Sequence, residues 1–369
     1  MKIQNQRMKR SRMWLVFASV VLSVVLGCFA WLNGSERLAP LKSDHHAFLN
    51  PPQEQEWAVL SDAAESVPIL CYHYFRPAFA PSYLLRVLGA VILNMPTLGA
   101  KEFWTLSIGE FERHLRYFRD QGIAVVTLDE LAAATENGPP IPHPAVVLTF
   151  DDADVSFYRF AYPLLKKYGY RAHLFVPTAY VGQQWGSLRV CSWDQLRQMQ
   201  GSGLIQVESH THDLHWKVAT PRGWEPVLWY PERLQNQDIT EITAESTSRN
   251  DKSSVMPAVL GYIRPHTRPT PHPAIAGDLR TSWRVIEKEM GRGPNFLSWP
   301  YGFASAALDS LAARSGFVGT VSLFPVAWRE AAPVWHLGRF SVTAKTTPIQ
   351  LTQLFTTQAI QTMLAARRP

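Results

Sequence analysis

The sequence predicts an α/β fold built on a parallel sheet that is covered on both faces. Between Val67 and Leu323, short runs that are apolar throughout alternate with longer stretches of helical period. A strand apolar on both sides needs cover on both faces, and the crossover helices of parallel sheets supply it. With 46% hydrophobic and 18% charged residues over 369 positions, the chain can bury one large core or two small ones. No internal repeat is visible, so the reading stands between an open sheet and a β/α barrel.

In order, residues 67–72 read as strand, 108–121 as helix, 124–128 and 145–150 as strands, and 157–168 as helix. Residues 171–176 read as strand, 193–199 as helix and 205–208 as strand, and 296–299 and 318–323 supply late strands.

The flanks are of another kind. Lys2, Arg7, Lys9, Arg10 and Arg12 account for all but one of the six net positive charges, so the remainder is nearly neutral and carries no nucleic-acid footprint. These bases precede an uncharged run, 14–32, long enough to cross a bilayer as a helix at roughly 1.5 Å per residue. A basic tail at 1–12 followed by a transmembrane signal anchor at 13–32 is expected, with the rest of the chain extracytoplasmic, periplasmic or at the cell surface. A lipoprotein signal acylated at Cys28 is the alternative. Leu26 fits that signal poorly, and Phe29 to Leu32 stay apolar where a mature lipoprotein turns polar.

Residues 33–66 are polar, carry Pro51 and Pro52, and read as a linker. A domain at 67–345 is then expected, with insertions near 78–100 and 216–278 and a C-terminal helical tail at 346–369. The first insertion is apolar enough to need burial, as a cap or on a nearby bilayer. The second is proline-rich and holds Trp224, Trp229 and Tyr230, candidates for the wall of a substrate groove. Cys71 and Cys191 are too few for a disulfide framework and read as buried thiols.

Three segments carry chemistry. Thr149-Phe150-Asp151-Asp152 closes an apolar strand, and the carboxyl ends of parallel strands are where α/β proteins assemble sites. Ser209-His210-Thr211-His212-Asp213-Leu214-His215 follows another strand with three imidazoles in six residues, which suits a two-His, one-carboxylate centre for a divalent ion. In Leu297-Ser298-Trp299-Pro300-Tyr301-Gly302 a strand runs straight into Pro and Gly, a turn that can aim a backbone N–H at an oxyanion. Adjacent carboxylates are badly placed to flank a glycosidic bond, which argues against a glycosidase.

Together with Val67-Pro-Ile-Leu-Cys-Tyr-His73 and the unit 111–131, these segments resemble the polysaccharide deacetylases of carbohydrate esterase family four, most of all the biofilm poly-N-acetylglucosamine branch. The resemblance covers about 67–342 and implies an irregular (β/α)7 barrel. It implies Asp151 as general base and Asp152, His210 and His215 as metal ligands, with zinc first and nickel, cobalt or iron as alternatives. Tyr301 would offer its backbone N–H to the oxyanion. Substrate contacts are expected from Trp299, Pro300, Tyr301 and Trp229. The implied activity is removal of N-acetyl groups from an extracytoplasmic amino-sugar polymer, poly-β-1,6-N-acetylglucosamine by the His210 to His215 spacing. Peptidoglycan or chitin-like oligomers, or a non-catalytic barrel holding polysaccharide for export machinery, are the alternatives.

The chain departs from that family at three places. Ala153 stands where a glycine usually follows the acidic pair. Ser298 replaces the arginine that orients the base. The late histidine expected as general acid is represented by His336, within Val334-Trp335-His336-Leu337-Gly338-Arg339.

Overall fold

The computed structural model describes residues 66–77, 103–220, 223–234, 271–302, 305–330 and 332–344, and beyond them 346, 350–352 and 354–355. The basic tail, the anchor, nearly all of the linker, the 78–100 insertion and the middle of the second insertion lie outside the described residues. Among those described, no helix is long and apolar enough to cross a membrane.

Eight strands form one sheet: β1 (Ile69–Tyr72), β2 (Ala124–Val126), β3 (Ala145–Phe150), β4 (Ala172–Val176), β5 (Ile205–Ser209), β6 (Phe296–Ser298), β7 (Gly319–Val321) and β8 (Phe340–Ser341). Their order is β7-β6-β5-β4-β3-β1-β8, with β2 paired to the first half of one edge of β3, and every pairing is parallel. Leu337 bridges Val321 just before the chain enters β8 beside β1, so the sheet curls until its two ends share one segment.

The crossovers are α1 (Ile108–Asp120), α2 (Leu128–Thr135), α3 (Tyr162–Tyr168), α4 (Trp193–Gly201), α5 (Pro273–Met290) and α6 (Ala306–Arg314), one between each successive pair from β1 to β7. The predicted alternation holds there and fails once, because no helix separates β7 from β8 among the described residues. Residues Trp328–Arg329 instead pair antiparallel with Ser66–Val67. The second insertion is shorter than 216–278, since α5 begins at Pro273 and belongs to the regular alternation.

Local chemistry explains the starts of these helices. Ser107, Thr127 and Ser192 each open a helix with a capping box, in which the hydroxyl accepts from the backbone N–H three residues on and that residue's side chain returns the bond. Each such cap contributes about 1 kcal/mol. On β3, alternate residues serve two cores: Val146, Leu148 and Phe150 join the cluster under α1 and α3, whereas Ala145 and Val147 face the interior with Ile69, Phe175, Phe296 and Val321. The described part of the predicted tail is not separate from the domain. Leu351, Leu354 and Phe355 are buried in the outer core, and the Phe355 ring lies 5.8 Å from that of Phe118. Cys71 and Cys191 are buried free thiols, as expected.

Candidate metal centre

β3 and β5 flank β4 in the parallel order, so their carboxyl ends open on the same rim and bring the two polar segments together. Asp152 and Ala153 then turn with φ of 69° and 49°. Left-handed backbone favours glycine, so Ala153 adopts at some cost the turn that glycine would adopt freely. The turn points Asp152 at the histidines. Its Oδ1 lies 3.5 Å from His210 Nε2 and 3.6 Å from His215 Nε2. One ligand atom from each of the three residues fits within a 4.8 Å cluster.

The donor set suits a divalent cation. His210 Nδ1 donates to the Ser298 carbonyl at 2.8 Å, which leaves Nε2 with its lone pair facing the cluster. Asp152 Oδ1 is buried and has no hydrogen-bond partner, while Oδ2 accepts from the Tyr74 hydroxyl. A buried carboxylate oxygen without a donor, facing two imidazole nitrogens, is the arrangement a cation completes. Burial alone would raise Asp152, yet His210 and His215 outweigh it and hold the carboxyl well below its usual range. Burial lowers His215 to about 4, so it is neutral and ligand-ready near pH 7.

Asp151 has a different set of partners. Arg339 reaches it with two parallel bonds of 2.7 Å, Nη1 to Oδ1 and Nη2 to Oδ2. The guanidinium is itself pinned by the Ser322 carbonyl, Thr149 Oγ1 and Ser298 Oγ. Ser298 Oγ and Cys71 Sγ also donate to Asp151 Oδ2, at 3.2 and 3.5 Å. Burial pushes Asp151 up, but Arg339 and then His210 pull harder and hold it at about 2. The arginine missing at position 298 is therefore replaced from β8's approach, across the curled sheet. A bidentate, fully buried fork fixes the carboxylate plane as one charge could not.

His73 is the third histidine of this cluster. It follows β1 directly and shares a compact group with Cys71 and Asp151. Its Nδ1 is buried without a hydrogen-bond partner. Burial lowers its pKa, against the pull of Asp151 and Asp152. His212, the middle imidazole of its motif, is bonded instead to Thr178 Oγ1 at 2.9 Å. Asp278 of α5 accepts the backbone N–H groups of His212 and Asp213 at 2.8 and 2.7 Å and so clamps the loop between the two ligand histidines.

Other residues singled out in the sequence fall elsewhere. Trp299 is fully buried in the core beneath the turn, and its indole N–H donates to Asp309 of α6 at 3.1 Å, so its ring offers no face to a sugar. Pro300 is buried as well. His336 is held by the same Asp309, Nδ1 to Oδ2 at 3.3 Å, in the loop between β7 and β8, and the group around Asp151 is formed by Cys71 and His73 instead. Trp229 is half-buried in the turn Val227–Trp229. Tyr301 does reach the centre. Its φ is 62°, its ring lies 4.4 Å from that of His215, and Lys217 Nζ stands 5.3 Å from the ring centroid.

Residues 139–319 match the polysaccharide deacetylase family. A poly-β-1,6-N-acetyl-D-glucosamine N-deacetylase of Staphylococcus aureus is 26% identical over 200 residues, 54% of this chain and 54% of its own length. A protein of the same name from Staphylococcus epidermidis is 36% identical over 120 residues, 32% of this chain and 41% of its own. The matched stretch thus spans about half the length of these relatives. Among solved structures, IcaB from Ammonifex degensii superposes with a TM-score of 0.57 at 24% identity, covering 80% of this chain and 97% of that one. A de-N-acetylase from Aggregatibacter actinomycetemcomitans gives 0.55 at 20% identity, covering 79% and 100%. By sequence and by fold, the chain carries a polysaccharide deacetylase domain homologous to the poly-β-1,6-N-acetylglucosamine deacetylases.

Proposed function

We propose that this protein is a metal-dependent N-deacetylase of an extracytoplasmic amino-sugar polymer, poly-β-1,6-N-acetylglucosamine in first place, held at the membrane by residues 13–32. The observation that carries the reading is the pairing of two unlike carboxylates at one strand end. Asp152 faces two imidazoles as a ligand, and Asp151, adjacent in sequence, is locked by an arginine fork.

Asp152, His210 and His215 would hold the cation, zinc in first place with nickel, cobalt or iron as alternatives. When bound, it supplies Lewis acidity that polarises the acetamide oxygen and acidifies water. Asp151 takes the proton of the attacking water, and Arg339 keeps its carboxylate ionised and oriented for that transfer. The Tyr301 backbone N–H, beside His215, donates to the oxyanion of the tetrahedral intermediate. As the C–N bond breaks, the amine leaves with a proton that His73 relays from Asp151, the one Asp151 took from the water. The products are acetate and a free amino group on the polymer. His73 takes the acid role assigned to His336 by family position, because it shares the Asp151 cluster and His336 is committed to Asp309.

The polymer assignment rests on the Staphylococcus relatives and on the motif form, and association with export machinery follows from the same assignment. The test is acetate release by the metal-loaded protein from poly-β-1,6-N-acetylglucosamine, peptidoglycan and chitin oligomers in parallel. Release from the first polymer above the others is expected. A folded, metal-loaded protein that frees acetate from none of them would refute the reading.

A further inference from the structure

The loop after β7 carries an exposed aromatic ring at the rim where Asp151, His210 and Tyr301 emerge. Phe324 is 42% exposed, one of two large hydrophobic residues so exposed among the described residues. Single exposed hydrophobics are ordinary on protein surfaces, and the mounting of this one is what sets it apart.

Its backbone is fixed from several sides. Ser322 donates its N–H to the Leu337 carbonyl at 2.7 Å, and its carbonyl accepts from Arg339 Nε at 2.9 Å, so the loop starts on the residue that grips the base. Phe324 N donates to Ser322 Oγ at 3.3 Å, and its carbonyl accepts from Val326 N at 2.8 Å. Two glycines let neighbouring segments press against the loop. A Cβ on Gly302, next to Tyr301, would stand 2.6 Å from Leu323 Cβ and 2.8 Å from its amide nitrogen. A Cβ on Gly338, next to Arg339, would stand 2.3 Å from the Phe324 carbonyl oxygen. The loop is thus wedged between the oxyanion turn and the arginine segment, with Leu323 facing inward and Phe324 outward.

We propose that Phe324 is a substrate-binding residue, a stacking platform for a pyranose ring of the polymer next to the unit being deacetylated. A pyranose presents a face of C–H groups, and an aromatic ring carried on a fixed backbone meets it with only two side-chain torsions left to order on binding. The occupant follows from continuity with the metal centre, since a chain threaded past Tyr301 must cross this loop or leave the rim. This inference rests on the deacetylase reading above and adds a determinant for polymer over small acetylated compounds.

The experiment compares wild type, Phe324→Ala and Phe324→Trp, metal-loaded, on poly-β-1,6-N-acetylglucosamine and on a small acetyl ester with no sugar neighbour. Phe324→Ala is expected to raise KM for the polymer about fivefold or more with kcat little changed, to leave hydrolysis of the small ester intact, and to be rescued by Phe324→Trp. An unchanged polymer KM in Phe324→Ala, beside an active wild type, would overturn the platform. Equal losses on both substrates would overturn it too, because the centre itself would then have moved. Failure of the deacetylase reading looks different: wild type releases no acetate from any polymer, and the platform falls with it.

Discussion

Replacing Arg339 by Met tests the idea that the base is held by a buried ion pair supplied from across the sheet. Arg339 is fully buried and Asp151 is 3% exposed. Removing one partner of such a pair leaves the other charge buried and uncompensated, which costs about 3–5 kcal/mol. Part of that cost depends on pH. In the wild type the Asp151 carboxyl sits at about 2, against about 3.9 in an unfolded chain. A depressed carboxyl adds stability that is fully present above the unfolded value and is lost as pH falls through the folded one. The difference corresponds to about 2–3 kcal/mol, present at pH 7 and lost between about pH 4 and pH 2. The rest comes from the bonds of Arg339 to Ser322, Ser298 and Thr149, which do not titrate. Urea unfolding of metal-free wild type and Arg339→Met should therefore differ by several kcal/mol at pH 7, and the gap should narrow by about half towards pH 3. Arg339→Lys, which restores charge without the fork, should recover stability better than kcat. Equal stability of Arg339→Met and wild type at pH 7, or a gap indifferent to pH, would refute the argument.

Asp152→Ala and His215→Ala should lose the metal, measured by elemental analysis after gel filtration, whereas Asp151→Asn should keep it and lose turnover; metal-free Asp151→Asn would show that the roles of the two acids are exchanged. His73→Gln should lower kcat by about 10²- to 10⁴-fold with metal content unchanged, and His336→Gln should stay near wild type; the reverse ranking in steady-state assays would return the acid role to His336. Asp278→Asn swaps one acceptor of the clamp for a donor facing a backbone N–H, so it should weaken metal affinity by about 10- to 100-fold, read by competition with a chromogenic chelator. Glu208→Gln on β5, the strand that leads into the ligand loop, serves as control, because Glu208 accepts from Asn295 and Phe296 N–H rather than from the ligand loop.

Much of this centre was legible in the sequence because its ligands are local. Asp151 and Asp152 are neighbours, and His210 and His215 lie in one turn, so the strand that ends before each pair is enough to place them. Residues whose roles depend on the curl of the sheet were misread or missed. Arg339 stands in an apolar run and reads as an edge charge until β8 pairs with β1. The signal for it is that a lone cation within Leu337 to Val342 must be buried with those residues, and a buried guanidinium needs a carboxylate. His73 stands directly after an apolar strand and carries the same positional signal as Asp151. Trp299 was misread because an aromatic next to a Pro-Gly turn suits a sugar platform as well as a core, and only burial beside Leu214, Leu297 and Leu308 decides between them. The helices α2, α5 and α6 have no counterpart in the sequence reading, although α2 carries its own start signal in the Thr127 to Glu130 capping box.

The transfer of the arginine from one strand end to another has a physical basis in the geometry of a curled parallel sheet. Asp151 emerges from β3, whose neighbours on the two edges are β1 and, over its last residues, β4. Its carboxylate points inward, over Thr149 and towards the interior shared by all the strand ends. From that axis, the end of β6 and the approach to β8 are both within reach of a long side chain, and the structure uses both, with Ser298 and Arg339 bonded to Asp151 and to each other. A serine at the β6 end leaves room for the guanidinium, and a second arginine there would meet a like charge in a buried space. The base therefore needs one cation from the rim, from no fixed strand. On this argument Ser298→Arg in the Arg339→Met background should regain activity and pH 7 stability, while Ser298→Arg in wild type should lower both. Restoration in the double variant alone, measured by acetate release and urea unfolding, is the expected result. Loss of stability additive over the two single variants would show that the position of the cation, and not its presence, is what the fold requires.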